Sequence, residues 1–207
     1  MSESDALYVL FTMDVERPTS QPGVSGPRTL KDGAKAVRDY HAMLKPHGYP
    51  PTYFVHPELA QPQGALFRDL AAVGCGLGLH LHTTKFQNPR HRTELGGLTR
   101  EQQFQVIQNA ATMYEQGIGQ RPTLFRPGCF SANDATYATL TDLGFVGGSV
   151  SIPGRIWPDR CCVWSGACPY VHRAHAAFRQ RRGDLPFIDV PLSVDMTGPL
   201  LEHPVGF

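Results

Sequence analysis

GLGLHLHTT, residues Gly76–Thr84, alternates apolar Leu77, Leu79 and Leu81 with Gly78, His80 and His82, which is the two-residue period of a β-strand. Successive side chains on a strand point to opposite faces, so both imidazoles share one face, close to where the strand gives way to polar residues. Neutral imidazole is the commonest metal ligand, and two of them two residues apart on a strand can grip one ion. Two histidines hydrogen-bonded in a wet loop would read the same way. The rest of the chain decides between them.

Working outward from this strand, one unit recurs: helix, glycine, short turn, apolar strand. Leu30–Leu44 carries a helical stripe at 30, 34, 37, 40 and 44, closed by Pro46 and Gly48 before the strand Thr52–Val55. A helix over Gly64–Val73 ends at Gly74 and leads into the HxH strand. Thr99 and Gln102 have the form of a capping box, opening a helix to about Gln116 that Gly117 terminates before the strand Thr123–Arg126. Ser131–Asn133 cap a helix to Leu143, Gly144 ends it, and Phe145–Val150 is the next strand. Ahead of all these, Ala6–Phe11 is a continuous apolar run, expected to be a buried strand running into Asp14 and Glu16.

Strands alternating with helices predict a parallel sheet with right-handed crossovers, an α/β fold. Asp14 and Glu16, His80 and His82, and Arg126 all fall just after apolar strand runs. Those are C-terminal strand ends, which in a parallel barrel converge on one rim. After Ser151 the pattern weakens: Ile152–His175 reads as a long irregular crossover holding both tryptophans and three cysteines. Ala174–Arg182 is expected to be a short basic helix, and Phe187–Val194 the last strand, at an edge or bulge because of Pro191. Asp195–Phe207 is too short for the usual closing helix, so a shortened form and completion by a partner are both open.

The bulk composition narrows the function classes. The 207 residues, 41% hydrophobic with formal net charge +1, suit one packed domain, taken as residues 1–207. Near-neutral charge gives no reason to expect nucleic acid or a membrane surface as partner. No apolar run is long enough to span a bilayer, and the acidic start MSESDALYVLF is unlike a signal peptide, so a cytoplasmic location is expected. Five cysteines make an odd count for a disulfide framework; Cys161, Cys162 and Cys168 lack a zinc-type spacing and are read as ordinary thiols.

Asp14 and Glu16 are two apart on one strand and share a face. One carboxylate and two imidazoles make a facial set that leaves positions open for water and substrate, the requirement for metal-assisted hydrolysis. The other carboxylate is then free to take a proton, and an arginine nearby can orient it.

FTMDVE at 11–16, PTYFV at 51–55, GLHLHTT at 78–84 and FRPGCFSAN at 125–133 occur in the order seen in the NodB-homology polysaccharide deacetylases, carbohydrate esterase family four. Across roughly Leu7–Ser149 the chain resembles that family, and WSGACPY at 164–170 and FIDVPLSVD at 187–195 resemble segments of its bacterial members. The resemblance implies a distorted (β/α)7 barrel of the NodB-homology type, with or without its last helix, and metal-dependent removal of acyl groups, usually N-acetyl from a sugar. By the same resemblance Asp14 is the catalytic base, Glu16 the acidic metal ligand, His80 the first metal histidine and Arg126 the residue that holds the base. The family's second metal histidine falls at Thr84 here, so either Thr84 or His82 completes the site, with His82 preferred. The family's general acid, a histidine after the last strand, has no counterpart; Asp195 lies near that place, and His172, His175 and His203 are looser candidates. Tyr53, His56 and Trp164 are the candidates to line the substrate pocket, with core packing preferred for Tyr53 and Phe54. The expected cofactor is a divalent metal, zinc first, and the expected partner a small-molecule or oligosaccharide substrate; an oligomer is open. Two rivals remain: a metal-free C–N amide hydrolase on the same scaffold and a non-catalytic saccharide-binding protein.

Overall fold

The computed structural model describes residues 7–20, 26–87 and 91–194. As far as Gly148 the chain follows the alternation expected: β1 (Thr12–Val15), α1 (Leu30–Leu44), β2 (Thr52–Val55), α2 (Pro57–Ala72), β3 (Gly76–Leu81), α3 (Arg100–Ile118), β4 (Leu124–Pro127), α4 (Thr136–Asp142) and β5 (Gly147–Gly148). A small hairpin follows, β6 (Ile156–Trp157) with β7 (Cys162–Val163), and then β8 (His172–Arg173) and β9 (Ile188–Asp189). Seven strands form one sheet in the order β1-β2-β3-β4-β5-β9-β8, parallel throughout except for the antiparallel β8–β9 pair. This is the distorted α/β barrel type expected, with β1 and β8 as its edges among the described residues. Asp195–Phe207, where the closing helix was in question, lies outside the described residues. Among those residues no helix is long and apolar enough to cross a membrane.

The strand register sorts side chains onto two faces. Val15, Val55 and Leu79 are register partners, as are Leu79 and Phe125, and all four are buried in the core beneath the helices. Asp14, Phe54 and Gly78 share a row on the opposite face, as do His80 and Arg126. The helices cover one face of the sheet and the polar residues gather on the other.

Several element boundaries differ from expectation. Leu7, Tyr8, Val9 and Leu10 are exposed and lie outside any strand. Pro50 and Pro51 precede β2 and offer no N–H, so the ladder between the first two strands begins at Thr52, whose N–H donates to Phe11 O. An apolar run without a partner to pair with stays outside the sheet. Helix α2 starts seven residues before the expected Gly64, at Pro57: proline suits the first turn, and the His56 imidazole caps it by accepting from Glu58 N–H at 3.3 Å. Pro62 within it removes one hydrogen bond without ending the helix, because Leu59, Ala60, Phe67 and Leu70 anchor its buried side. Helix α3 is opened by the capping box of Thr99 and Gln102, as read from sequence, but it runs through Gly117 to end at Gly119, which has φ +88°. Ala174–Arg182 is not a helix: residues 174 and 182 form a β-bridge, and Ala174 N–H is taken by Phe187 O at 2.9 Å. The strand expected over Phe145–Val150 narrows to Gly147–Gly148, and that over Phe187–Val194 to Ile188–Asp189.

Candidate metal-dependent active site

Glu16 stands one residue beyond β1, and His80 and His82 lie at the end of β3 and just past it. Glu16 Oε1 is 2.8 Å from His82 Nε2 and 3.4 Å from His80 Nε2. The two rings stand nearly perpendicular, with centroids 5.0 Å apart. His80 Nδ1 lies 3.1 Å from Arg126 O. A carbonyl only accepts, so the proton between them sits on Nδ1, and Nε2 is the nitrogen turned toward Glu16. His82 Nδ1 lies 3.1 Å from Glu94 Oε1, and the same oxygen accepts from Thr84 Oγ1 at 2.7 Å. Between the two alternatives left open in sequence, His82 is thus the residue facing Glu16, while the Thr84 hydroxyl is engaged by Glu94.

The donor set is one carboxylate and two imidazoles, with the ligand atoms of Glu16, His80 and His82 all within 4.8 Å of one another. Glu16 Oε2 is buried with no hydrogen-bond partner, so the carboxylate retains capacity that its protein neighbours do not use. Two nitrogens and a carboxylate oxygen suit zinc or a similar borderline divalent ion. The residues fit such a cation. Lys85 brings its own charge to the same place, with Nζ 3.2 Å from Glu16 Oε1.

The electrostatics follow from burial and contact. Burial alone would raise the Glu16 carboxyl; hydrogen bonds and charge from His80 and His82 outweigh it and hold the group far below the usual range. Burial would push His82 down, but its contacts with Cys129, Glu16 and Glu94 raise it to about 11. Glu94 is lowered despite burial, chiefly by His82.

Asp14 sits on the same face, its Oδ1 accepting from Arg126 Nη1 at 2.8 Å. Arg126 also donates to Thr12 Oγ1 at 3.0 Å and stacks over the Phe54 ring, 4.3 Å from its centroid. Gly78 makes room for that stack: a Cβ there would lie 2.7 Å from Phe54 ring carbons. The arginine side chain is 5% exposed and that of Asp14 33%, so a fixed cation presents a reachable carboxylate.

Other expected site residues lie elsewhere. Tyr53 is fully buried on the helix-covered face, its hydroxyl donating to Val37 O at 3.3 Å. One residue of strand parity separates it from the row of Asp14, which corrects its assignment to the pocket. Trp164 is fully buried too; its indole N–H donates to Phe130 O at 2.7 Å and fixes the turn after β4 instead of offering a face to substrate. His56 is near the charged cluster but wholly enclosed, capping α2 and packed edge-on to Phe86. Burial and then the charge of His80 push it down to about 3. Of the general-acid candidates, Asp195 and His203 lie outside the described residues. His172 hydrogen-bonds Tyr170 O and pairs with Asp189 in the sheet, and His175 accepts from Ala177 N–H. Asp189 shares its register row with Gly148 and Phe125, on the helix side of the sheet, which separates His172 from the face of Asp14 and Arg126.

Glu94 and Lys85 join the cluster without having been singled out in the sequence, and Cys129, close to a site strand in sequence, lies beside His82 and Glu94. Lys85 follows His82 by three residues and could have been found as a cation at a site-strand end. Glu94 comes in across an irregular loop whose path no periodicity encodes.

A family model described as polysaccharide deacetylase matches residues 26–148. Among solved structures, a Mycobacterium smegmatis protein assigned as a polysaccharide deacetylase superposes with TM-score 0.54 at 18% identity, covering 89% of this chain and 58% of its own. PuuE allantoinase superposes with TM-score 0.53 at 12% identity, covering 90% of this chain and 61% of its own. The chain therefore spans about three fifths of the length of these two structures, and at such identities the likeness is one of fold. Comparison with characterised proteins by sequence gave no match.

Proposed function

The chain belongs to the polysaccharide deacetylase family, and from that premise we propose that it is a metal-dependent hydrolase. It removes an acyl group, N-acetyl foremost, from a saccharide or related small amide. The observation that carries this is the convergence of Glu16, His80 and His82 on one point of the sheet face that also presents the Arg126–Asp14 pair. In this reading Glu16, His80 and His82 hold a divalent cation, zinc first. Such a cation supplies a water of pKa about 7 and polarises the acyl oxygen.

The chain's own residues do the rest. Arg126 holds Asp14 through Oδ1, which leaves Oδ2 to take the proton from the attacking water and pass it to the leaving amine nitrogen as the C–N bond breaks. His80 keeps its proton on Nδ1, bonded to Arg126 O, so its position is tied to that of the arginine. Cys129 and Phe130, in the turn just after Arg126, both have positive φ, 55° and 52°. Such strain is costly for residues with side chains and concentrates where backbone must face a ligand; we assign the Cys129 N–H as a donor to the developing oxyanion.

The test is hydrolysis of N-acetylated amino sugars and their oligomers, with metal content measured on the same preparation. Activity lost to chelator and restored by zinc or another divalent ion is expected. A second reading, metal-free amide hydrolysis, is favoured by Lys85, whose ammonium already neutralises Glu16. Full turnover by chelated, metal-free protein would establish it in place of the first.

A further inference from the structure

Beyond the groups that would touch a cation or substrate, we infer that Glu94 is the positioning residue that makes His82 a cation ligand through Nε2, with Thr84 holding Glu94 and Gly128 leaving room for the ring. This rests on the metal-dependent reading proposed above. His82 Nε2 lies 2.8 Å from Glu16, and Nδ1 lies 3.1 Å from Glu94. A ring that ligates through Nε2 must carry its proton on Nδ1, and it keeps that tautomer and orientation only if something accepts the proton. His80 has a backbone carbonyl for the purpose. His82 has Glu94.

Everything about Glu94 suits that task. It is 3% exposed, so it stays charged only by virtue of its partners. Oε1 takes both the His82 contact and the Thr84 hydroxyl, at 2.7 Å, which fixes the carboxylate in rotation. The backbone around it is tied down as well: Thr83 Oγ1 donates to Thr93 O at 2.7 Å, and Gly96 N–H donates to Ser131 Oγ at 2.9 Å. A Cβ at Gly128 would overlap the His82 imidazole, Nδ1 most closely. The ring is thus held at one edge and bounded on one face by a residue with no side chain. Cys129 is close by as well, and with Glu94 and His82 it forms a second set of ligand-type atoms within 4.8 Å of one another. That offers a competing role for Glu94, as ligand to a second cation, which the experiment distinguishes.

Co²⁺ and Zn²⁺ are titrated calorimetrically into chelated, dialysed wild-type, Glu94→Ala, Glu94→Gln and Thr84→Val proteins. Folding is followed by circular dichroism, and the His82 ring by ¹⁵N-imidazole NMR. One cation per chain is expected, with affinity about 10- to 100-fold weaker in Glu94→Ala and largely restored in Glu94→Gln, whose amide oxygen still accepts. The loaded wild type should show a slowly exchanging His82 Nδ1–H that Glu94→Ala loses. Equal affinity in wild type and Glu94→Ala would overturn the positioning role and leave the cation site standing. So would a second cation that disappears in Cys129→Ser. A wild type that binds neither ion overturns the metal-dependent reading itself. If Glu94→Ala does not fold, Thr84→Val decides: severalfold weaker binding supports the role of Glu94, and unchanged binding rejects it.

Discussion

Asp14 and Glu16 are chemically alike and two residues apart, yet their surroundings separate their roles. Glu16 is 12% exposed and faces two imidazoles; Asp14 is 33% exposed and faces a buried arginine. The first suits holding a cation and the second suits moving a proton. Asp14→Asn should therefore keep cation affinity within about twofold of wild type while lowering kcat by about 10²- to 10⁴-fold, the usual range for loss of a general base. Metal titration and steady-state kinetics on one preparation check both halves, and a variant retaining wild-type kcat would remove Asp14 from the chemistry. At this scale the sequence carried much of the site, because His80, His82, Glu16, Asp14 and Arg126 are all fixed to strand ends, where spacing determines face. The face of Tyr53 was not fixed by that rule, because it depends on the register of β2 against β1, which pairs Tyr53 with Met13 and Phe54 with Asp14. Glu94 was not legible, since its approach depends on the path of the loop between His82 and α3.

Helices α2 and α3 meet so closely that each contributes a glycine to the contact. A Cβ on Gly64 would overlap Gly117 O, and one on Gly117 would overlap Ala60 and Gln61 backbone. Sequence alone reads Gly117 as a helix terminator, because a glycine near the end of a helical stripe is the usual sign of one. Tertiary packing overrides that sign, and the left-handed position falls two residues later, at Gly119. The two glycines should respond differently to alanine. Gly117→Ala forces the helices apart and should destabilise by about 1–3 kcal/mol or more. Gly119→Ala meets nothing within 4 Å and bears only the strain of its positive φ, about 1 kcal/mol. Urea denaturation of both variants measures the difference, and equal losses would argue against the close crossing. Elements with strong local signals, such as the capping box of α3, were legible. Those whose limits depend on partners, such as β1 after its unpaired apolar run, were not.

For the molecule as a whole, the charged cluster makes stability depend on pH in a way that the signs of its shifts determine. Glu16 and Glu94 both lie below their ordinary value of 4.5, so they stabilise the folded chain above that value and the contribution is lost on acidification. His56 is lowered from 6.5 to about 3, so unfolding takes up a proton between those values and stability falls as pH drops through them. His82 is raised from 6.5 to about 11, so its contribution is complete below 6.5 and declines as pH rises toward 11. Acid and alkaline limbs therefore meet near the ordinary histidine value, and the chelated protein should show its highest Tm close to pH 6.5. A bound cation changes the alkaline limb, because it takes the place of the His82 proton and binds more tightly as protons become scarce. The Tm increment on adding zinc should accordingly grow from about pH 6 to about pH 8, and His82→Gln should abolish both the alkaline decline and the increment. Thermal denaturation across this range, with chelator and with zinc, tests the account. A zinc increment independent of pH would mean that the ion binds away from His82.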